Sequence, residues 1–122
     1  MPLVKERFNG LIRAFKLTCI NIVHSYTCIY TYTVPPQITV PPRNLTVLEN
    51  TFLSSPPSCQ AVGEPVPTYS WFRPDGTLVP IVRGVLQFGI LTRSDSGTYT
   101  CVATNSAGQV RADFNILVEG TN

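Results

Sequence analysis

The stretch that decides the fold runs Asp95-Ser96-Gly97-Thr98-Tyr99-Thr100-Cys101. Consecutive side chains of a β-strand point to opposite faces, so Tyr99, Cys101 and the following Ala103 share one face. That apolar face alternates with an outer face of threonine and valine, which predicts a half-buried strand. Before the strand, Gly97 permits a sharp change of backbone direction, and the Tyr99 hydroxyl can donate a hydrogen bond to the chain upstream. We therefore expect a tight corner that leads into a strand with one buried face.

Two residues upstream stand at distances that fit this strand. Cys59 precedes Trp71 by twelve residues and Cys101 by forty-two. A Cys…Trp…Cys spacing with a tyrosine two residues before the second cysteine is the hallmark of one sandwich fold. Over residues 36–119 the chain resembles the immunoglobulin domain. Its turn sequences are similar to those of the intermediate set found in adhesion molecules and receptors, at Gly63-Glu64-Pro65-Val66-Pro67, Asp75-Gly76 and Ala103-Thr104-Asn105-Ser106-Ala107-Gly108.

The resemblance implies an all-β fold, a seven-stranded, immunoglobulin-like Greek-key sandwich. The residue pattern agrees, because turn signals recur every 8–12 residues and several segments alternate with a period of two. Asn105–Gly108 is predicted to form the hairpin turn before the last strand. The expected inner faces comprise Leu45 and Val47, Tyr69 and Trp71, Leu86 and Phe88, and Ala112, Phe114, Ile116 and Val118.

The sequence departs from the family pattern in two places. Ser55-Pro56-Pro57-Ser58 occupies the position where the second strand should run into Cys59. Proline cannot donate to a β-ladder, so this strand should be short, bulged or split. The stretch between Asp75 and Leu86 is brief, which favours seven strands over the nine of a variable-type domain.

The resemblance also implies the roles of the central residues. A disulfide would join Cys59 to Cys101, with two buried thiols as the alternative, and Trp71 and Leu86 would pack in the core. Asp95, Gly97 and Tyr99 would form the tyrosine corner. We expect Asp95 to be a cap and charge partner, with Arg83 or Arg93 as its mate.

Composition changes at Val34, which divides the chain into an extension, residues 1–33, and an immunoglobulin-like domain, residues 34–122. The extension carries four basic side chains and one acidic one. It could be a signal peptide, a membrane anchor, an interfacial helix or a poorly ordered segment. Arg13 and Lys16 interrupt the apolar run of a signal, and Asn21 and His24 oppose insertion of an anchor. A poorly ordered extension is therefore our expectation.

Cys19 and Cys28 lie in this extension with a spacing that permits a small disulfide loop. Free thiols in an unstructured segment are the expectation. A zinc site would need more ligands than His24 and two thiols provide.

Composition excludes several classes of function. Residues 34–122 carry five basic and six acidic side chains, without the basic stripe that nucleic-acid binding needs. His24 is the only histidine, so Ser-His and Cys-His catalytic sets find no support. There is no phosphate-binding glycine loop, no pair of carboxylates and no metal cluster in the sequence pattern. We expect no enzymatic activity, no cofactor, no metal and no small-molecule substrate.

The expected function is extracellular or cell-surface protein recognition and cell adhesion by one of several tandem immunoglobulin-like domains. Partners would be other proteins, bound homophilically or heterophilically through Phe72, Val102 or the Asn105–Gly108 hairpin. Any membrane contact would involve residues 1–33. Asn44-Leu45-Thr46 is an N-glycosylation sequon, which makes Asn44 the expected glycan site. The alternative is an intracellular structural module of a filament-associated protein, with reduced thiols and no glycan.

Overall fold

A computed structural model of the protein describes residues 3–8, 11–53 and 57–121, and within them the chain is built from β-strands. One turn of 3₁₀ helix spans Arg93–Asp95. The strands are β1 Leu3–Phe8, β2 Leu11–Ile22, β3 Ser25–Val40, β4 Leu45–Leu48, β5 Gln60–Glu64, β6 Thr68–Phe72, β7 Ile81–Val82, β8 Val85–Leu86, β9 Gly97–Asn105 and β10 Gly108–Glu119.

One sheet has the strand order β4-β10-β9-β6. The β9–β10 hairpin is its centre, with Asn105 paired to Gly108 across a two-residue turn. β6 adds to β9 in the antiparallel sense, while β4 adds to β10 in parallel. This sheet carries the strand that the Tyr99–Cys101 pattern predicts.

The second sheet has the strand order β1-β2-β3-β5, with antiparallel neighbours throughout. Only the later part of β3, from Val34, pairs with β5. β5 starts at Gln60 and has five residues, in keeping with the short strand that the prolines before Cys59 predict. Ser55 and Pro56 themselves lie outside the described residues.

The core lies between the two sheets. Burial alternates along β9 and β10, where Tyr99, Cys101 and Ala103 are buried and Thr104 is exposed, as their period-two pattern predicts. The buried cluster consists of Trp71, Val79, Leu91, Tyr99, Cys101, Phe114, Ile116 and Val118. Leu45, Val47, Tyr69, Leu86 and Phe88 are partly buried against it. The prediction of an all-β sandwich is confirmed.

Within the first 33 residues, the described stretches Leu3–Phe8 and Leu11–Ile22 and the start of β3 pair as a three-stranded ribbon, while the prediction of a separate, poorly ordered extension stays a prediction. The helical interpretation is wrong for Leu11–Ile22, which is a strand. β-Branched and aromatic side chains dominate from Thr18 onward, and they favour an extended backbone. Val23 and His24, both with positive φ, turn the chain between β2 and β3. In the described residues, no helix has the length and apolar character needed to cross a membrane.

The expectation of free thiols at Cys19 and Cys28 is also wrong. The ribbon places the two cysteines directly opposite each other, with their Cα atoms 4.0 Å apart, and a disulfide joins them. The Cys-x8-Cys spacing is that of a hairpin whose two-residue turn lies midway, so the register of β2 on β3 brings the sulfurs together. This disulfide links two strands of one hairpin and lies outside the core cluster.

Candidate functional site

A disulfide from Cys59 to Cys101 crosses the sandwich, with the Cα atoms 6.6 Å apart. Cys101 has no exposed surface, and Trp71 is its direct neighbour on β6. The Trp71 ring meets Phe114 edge to face, with ring centroids 5.7 Å apart. The inner face of the sheet is therefore a packed structural core.

The corner before β9 is held by the Tyr99 hydroxyl, which donates a 2.7 Å hydrogen bond to the Asp95 carbonyl oxygen. Burial, together with the nearby Asp95 charge, raises the pKa of Tyr99 above its ordinary value. Gly97 has a φ of 151°, and a Cβ there would lie 2.8 Å from Cγ of Pro74. Glycine is therefore required by both conformation and space.

Asp95 caps the 3₁₀ turn. Its carboxylate accepts hydrogen bonds from the Thr92 backbone N–H at 2.8 Å and the Thr92 hydroxyl at 3.2 Å. The expected mate is wrong, because Arg93 pairs instead with Glu49 at 3.3 Å, and no ion pair of the described residues joins Arg83 or Arg93 to Asp95.

Asn105, expected as a contact residue, is engaged inside the molecule. Its Nδ2 donates to the carbonyl oxygens of Val34 at 2.7 Å and Pro65 at 2.9 Å. Its Oδ1 accepts a 2.9 Å hydrogen bond from the Ala107 backbone N–H. One amide thereby ties the β9–β10 hairpin to β3 and to the loop between β5 and β6, which is a structural role that the sequence pattern did not reveal.

Phe72 and Val102, the other two candidates, lie side by side on the outer face of β6 and β9. The register pairs Phe72 with Thr100 and Ser70 with Val102, so the two apolar side chains have the same orientation. Both are half-buried. They line an open groove of about 500 Å³ with Gln109, Val110 and Arg111 of β10. The structure therefore forms an apolar floor on this face from two residues that are thirty apart in sequence.

Polar groups surround that floor. Arg111 pairs with Asp113 at 3.0 Å, and the Thr100 hydroxyl donates to the same carboxylate at 2.7 Å. These two donors hold the pKa of Asp113 below its ordinary value. The Thr98 hydroxyl donates to Asn115 at 2.8 Å on the next rung. We call the surface made by Phe72, Val102 and this polar surround the outer β6–β9–β10 face.

Asn44 lies immediately before β4 at an exposed position. Its Oδ1 accepts a 2.8 Å hydrogen bond from the Asn115 backbone N–H, which fixes the side chain beside β10. The sequon residue Thr46 is also exposed. The sequon is thus accessible on the surface of the sandwich.

The described residues offer few clustered side chains for metal binding or acid–base chemistry. Among the described ranges, no group of three or more His, Cys, Asp or Glu side chains could hold a metal ion. His24 is exposed in the β2–β3 turn, far in sequence from every carboxylate of the domain. The arrangement suits the burial of an apolar floor and a polar rim against another surface.

Comparison with known proteins identifies the fold. The family model of the immunoglobulin domain matches residues 35–105. A chimeric titin Z1Z2 protein has a TM-score of 0.60 at 28% identity, over 73% of this chain and 98% of the titin chain. The Ig-like domain of human leucine-rich repeat-containing protein 4 has a TM-score of 0.55 at 26% identity, over 70% of this chain and 88% of the other.

Curated relatives are longer proteins with several kinds of domain. The chain is 37% identical over 91 residues to leucine-rich repeat and fibronectin type-III domain-containing protein 4 of Rattus norvegicus. That match covers 69% of this chain and 14% of the relative's length. It is 42% identical over 66 residues to inactive tyrosine-protein kinase 7 of Gallus gallus, covering 50% of this chain and 6% of the other. With its bridged cysteines, buried tryptophan and tyrosine corner, the chain belongs to the immunoglobulin domain family.

Proposed function

We propose that this chain is a non-catalytic, extracellular protein-recognition and adhesion module, one of several tandem immunoglobulin-like domains. It is similar to part of a leucine-rich repeat and fibronectin type-III domain-containing protein and to part of an inactive tyrosine-protein kinase, and it spans a small share of each. Its binding partner is another protein, either a second copy or a different chain.

The outer β6–β9–β10 face is the observation that carries the proposal. Protein interfaces combine a desolvated apolar centre with a polar, hydrogen-bonding rim. Phe72 and Val102 supply such a centre, and Arg111, Asp113 and Thr100 supply the rim. Because the Arg111–Asp113 pair is exposed, it would contribute more to the choice of partner and to association rate than to affinity.

An extracellular location is supported by the two disulfides, because such bridges form and persist in oxidising compartments. The exposed sequon at Asn44 agrees with passage through a secretory pathway. We therefore propose that Asn44 carries an N-linked glycan, at the β4 edge of the same sheet.

Binding can be tested with the whole chain immobilised on beads. Bead clustering measures homophilic binding, and capture of cell-surface proteins followed by mass spectrometry measures heterophilic binding. Val102→Lys should abolish whichever binding is found, because a charge then stands in the apolar centre of the face. Val62→Lys is the matched control, an exposed valine on β5 of the other sheet.

If the Val102→Lys chain bound its partner as tightly as wild type, the partner would bind a surface other than the outer β6–β9–β10 face. Both variants should still unfold cooperatively, because a lysine at a half-buried or exposed strand position can extend its ammonium group into water.

The alternative is an intracellular structural module, favoured by the likeness to titin domains, which reaches 29% identity in the A164–A165 tandem. In a reducing compartment the four cysteines would be thiols and Asn44 would carry no glycan. The state of the cysteines in the natural protein therefore separates the two proposals.

A further inference from the structure

The hairpin formed by β2 and β3 extends beyond the sandwich and has an unusual surface. From Leu17 to Val34 the sequence contains no Asp, Glu, Lys or Arg. Every residue from Ile20 to Tyr32 is exposed, on both faces of the hairpin. The exposed apolar and aromatic side chains are Ile20, Ile22, Val23, Tyr26, Ile29, Tyr30 and Tyr32. A soluble protein face normally carries charges at such positions.

The turn at the tip, Val23-His24, lacks the residue types that stabilise a two-residue hairpin turn. Both residues have positive φ, 41° and 64° respectively. Two-residue hairpin turns of this kind favour Asn-Gly, and a β-branched residue at positive φ is strained. Val23 is nevertheless the most exposed of the large apolar residues, at 86%. Strained residues that persist at exposed positions point to a role outside folding.

Basic residues follow on the side of the hairpin that is away from the tip. Lys5, Arg7, Arg13 and Lys16 precede the uncharged stretch, and Glu6 is the one acidic residue among the first 33. The register places Lys16 opposite Thr31, at the rung where the uncharged part of the hairpin begins. At the tip, the apolar Ile22 and Val23 lie beside the polar His24 and Ser25, and along the ribbon this tip is followed by tyrosines and then by a net positive base.

This order matches the layers of an anionic lipid surface. Ile22 and Val23 would enter the interface, the Tyr26 ring would lie at headgroup level, and the positive base farther along the ribbon would attract the chain to an anionic surface. A protein partner would cover one face of the hairpin, whereas lipid surrounds both. The unpaired backbone edges of β2 and β3 near the tip exclude deep insertion, because their N–H and C=O groups need water or headgroups.

We propose that the β2–β3 hairpin is a membrane-docking element that inserts its Val23 tip into the interface of an anionic lipid bilayer. The disulfide between Cys19 and Cys28 clamps the two strands four rungs from the turn and keeps the tip compact. This role goes beyond the proposed protein recognition and uses a different part of the molecule. Failure of either proposal leaves the other standing.

The test is co-sedimentation of the full chain with vesicles of phosphatidylcholine, with and without phosphatidylserine. We expect binding to the phosphatidylserine vesicles, weakened by added salt. In chain made without N-glycosylation, a condition needed because the change creates an Asn-x-Ser sequon with Ser25, Val23→Asn should weaken it about tenfold, because an apolar contact is lost. Asparagine suits a positive φ, so this change should not unfold the hairpin. Val66→Asn, at a valine that is 79% exposed between β5 and β6, is the matched control and should bind as wild type.

Three outcomes overturn the proposal. The wild-type chain does not sediment with either vesicle; Val23→Asn binds phosphatidylserine vesicles as tightly as wild type; or Val66→Asn weakens binding as much as Val23→Asn. Light scattering of the lipid-free chain adds a fourth. A dimer that Val23→Asn dissociates, without vesicle binding, would assign the hairpin to self-association through its open edges.

Discussion

The Tyr99 hydroxyl closes the corner into β9 through its bond to the Asp95 carbonyl. Tyr99→Phe keeps the ring contacts with Phe88 and Phe114 and removes only this bond. We expect the free energy of unfolding to fall by about 0.5–1.5 kcal/mol, and by more if the carbonyl is left unpaired. Urea unfolding followed by the fluorescence of Trp71 measures the loss.

Tyr26→Phe is the matched control, because that ring is 73% exposed on the hairpin. It should leave the urea midpoint unchanged. An equal midpoint for Tyr99→Phe and wild type would mean that water replaces the Asp95 bond at no cost, and the corner would then be held by its other hydrogen bonds and by packing.

The raised pKa of Tyr99 predicts a loss of stability at alkaline pH. The unfolded chain releases the phenolic proton near pH 10 while the folded chain still holds it, so rising pH favours unfolding. Below about pH 10 the contribution is fully present, and it is lost as pH rises through the folded pKa. The difference in unfolding free energy between wild type and Tyr99→Phe should therefore shrink above this pH. A constant difference up to the alkaline limit would contradict it.

The role of a residue could be predicted from sequence where its hydrogen-bond partner lies in the same short motif. The corner at Tyr99 spans five residues of chain, so its partner lies within reach of the pattern. Asn105 bonds instead to Val34 and Pro65, which are distant in sequence and come close only in the folded sandwich. The Arg93–Glu49 pair is distant in the same sense. Long-range polar contacts of this kind leave no local signal.

The two disulfides act on different elements. The Cys59–Cys101 disulfide joins the sheets through the core and closes a long loop. Replacing these two cysteines with alanine should therefore lower the free energy of unfolding by about 4 kcal/mol. Replacing Cys19 and Cys28 with alanine should leave the Trp71 transition in place, since the hairpin lies outside the core cluster. Urea unfolding of both double variants provides the comparison. Similar losses for the two pairs would show that the ribbon and the sandwich unfold as one unit.

The strands of the sandwich were predictable because one face of each is buried, which forces the period-two pattern seen in β9 and β10. β2 and the start of β3 lack that constraint, since exposed residues occupy both faces. Their spacing at Phe15, Cys19, Ile22 and Val23 fits a helix as well as a strand, so periodicity did not decide between them. Because neither face of this hairpin is buried, the pairing of Cys19 with Cys28 could not be deduced from the sequence pattern either.

At the scale of the whole molecule, we propose that the chain divides at Val34 into a ribbon and a packed sandwich. Every residue of the core cluster follows Val34, and the part of β3 that pairs with β5 begins there. We therefore predict that residues 34–122 fold without the first 33. The shortened chain should unfold cooperatively in urea, with little change in midpoint from the full chain. A molten shortened chain beside a cooperative full chain would place the boundary elsewhere.

We propose above all that this chain, with one disulfide in its immunoglobulin domain and one in the ribbon, works outside the cell. Non-reducing mass spectrometry of the natural protein, after alkylation of free thiols, tests it most directly. We predict that none of the four cysteines is alkylated, that peptides link Cys19 to Cys28 and Cys59 to Cys101, and that the Asn44 peptide carries a glycan. Four alkylated thiols on a protein without a glycan would contradict the account and favour the intracellular module.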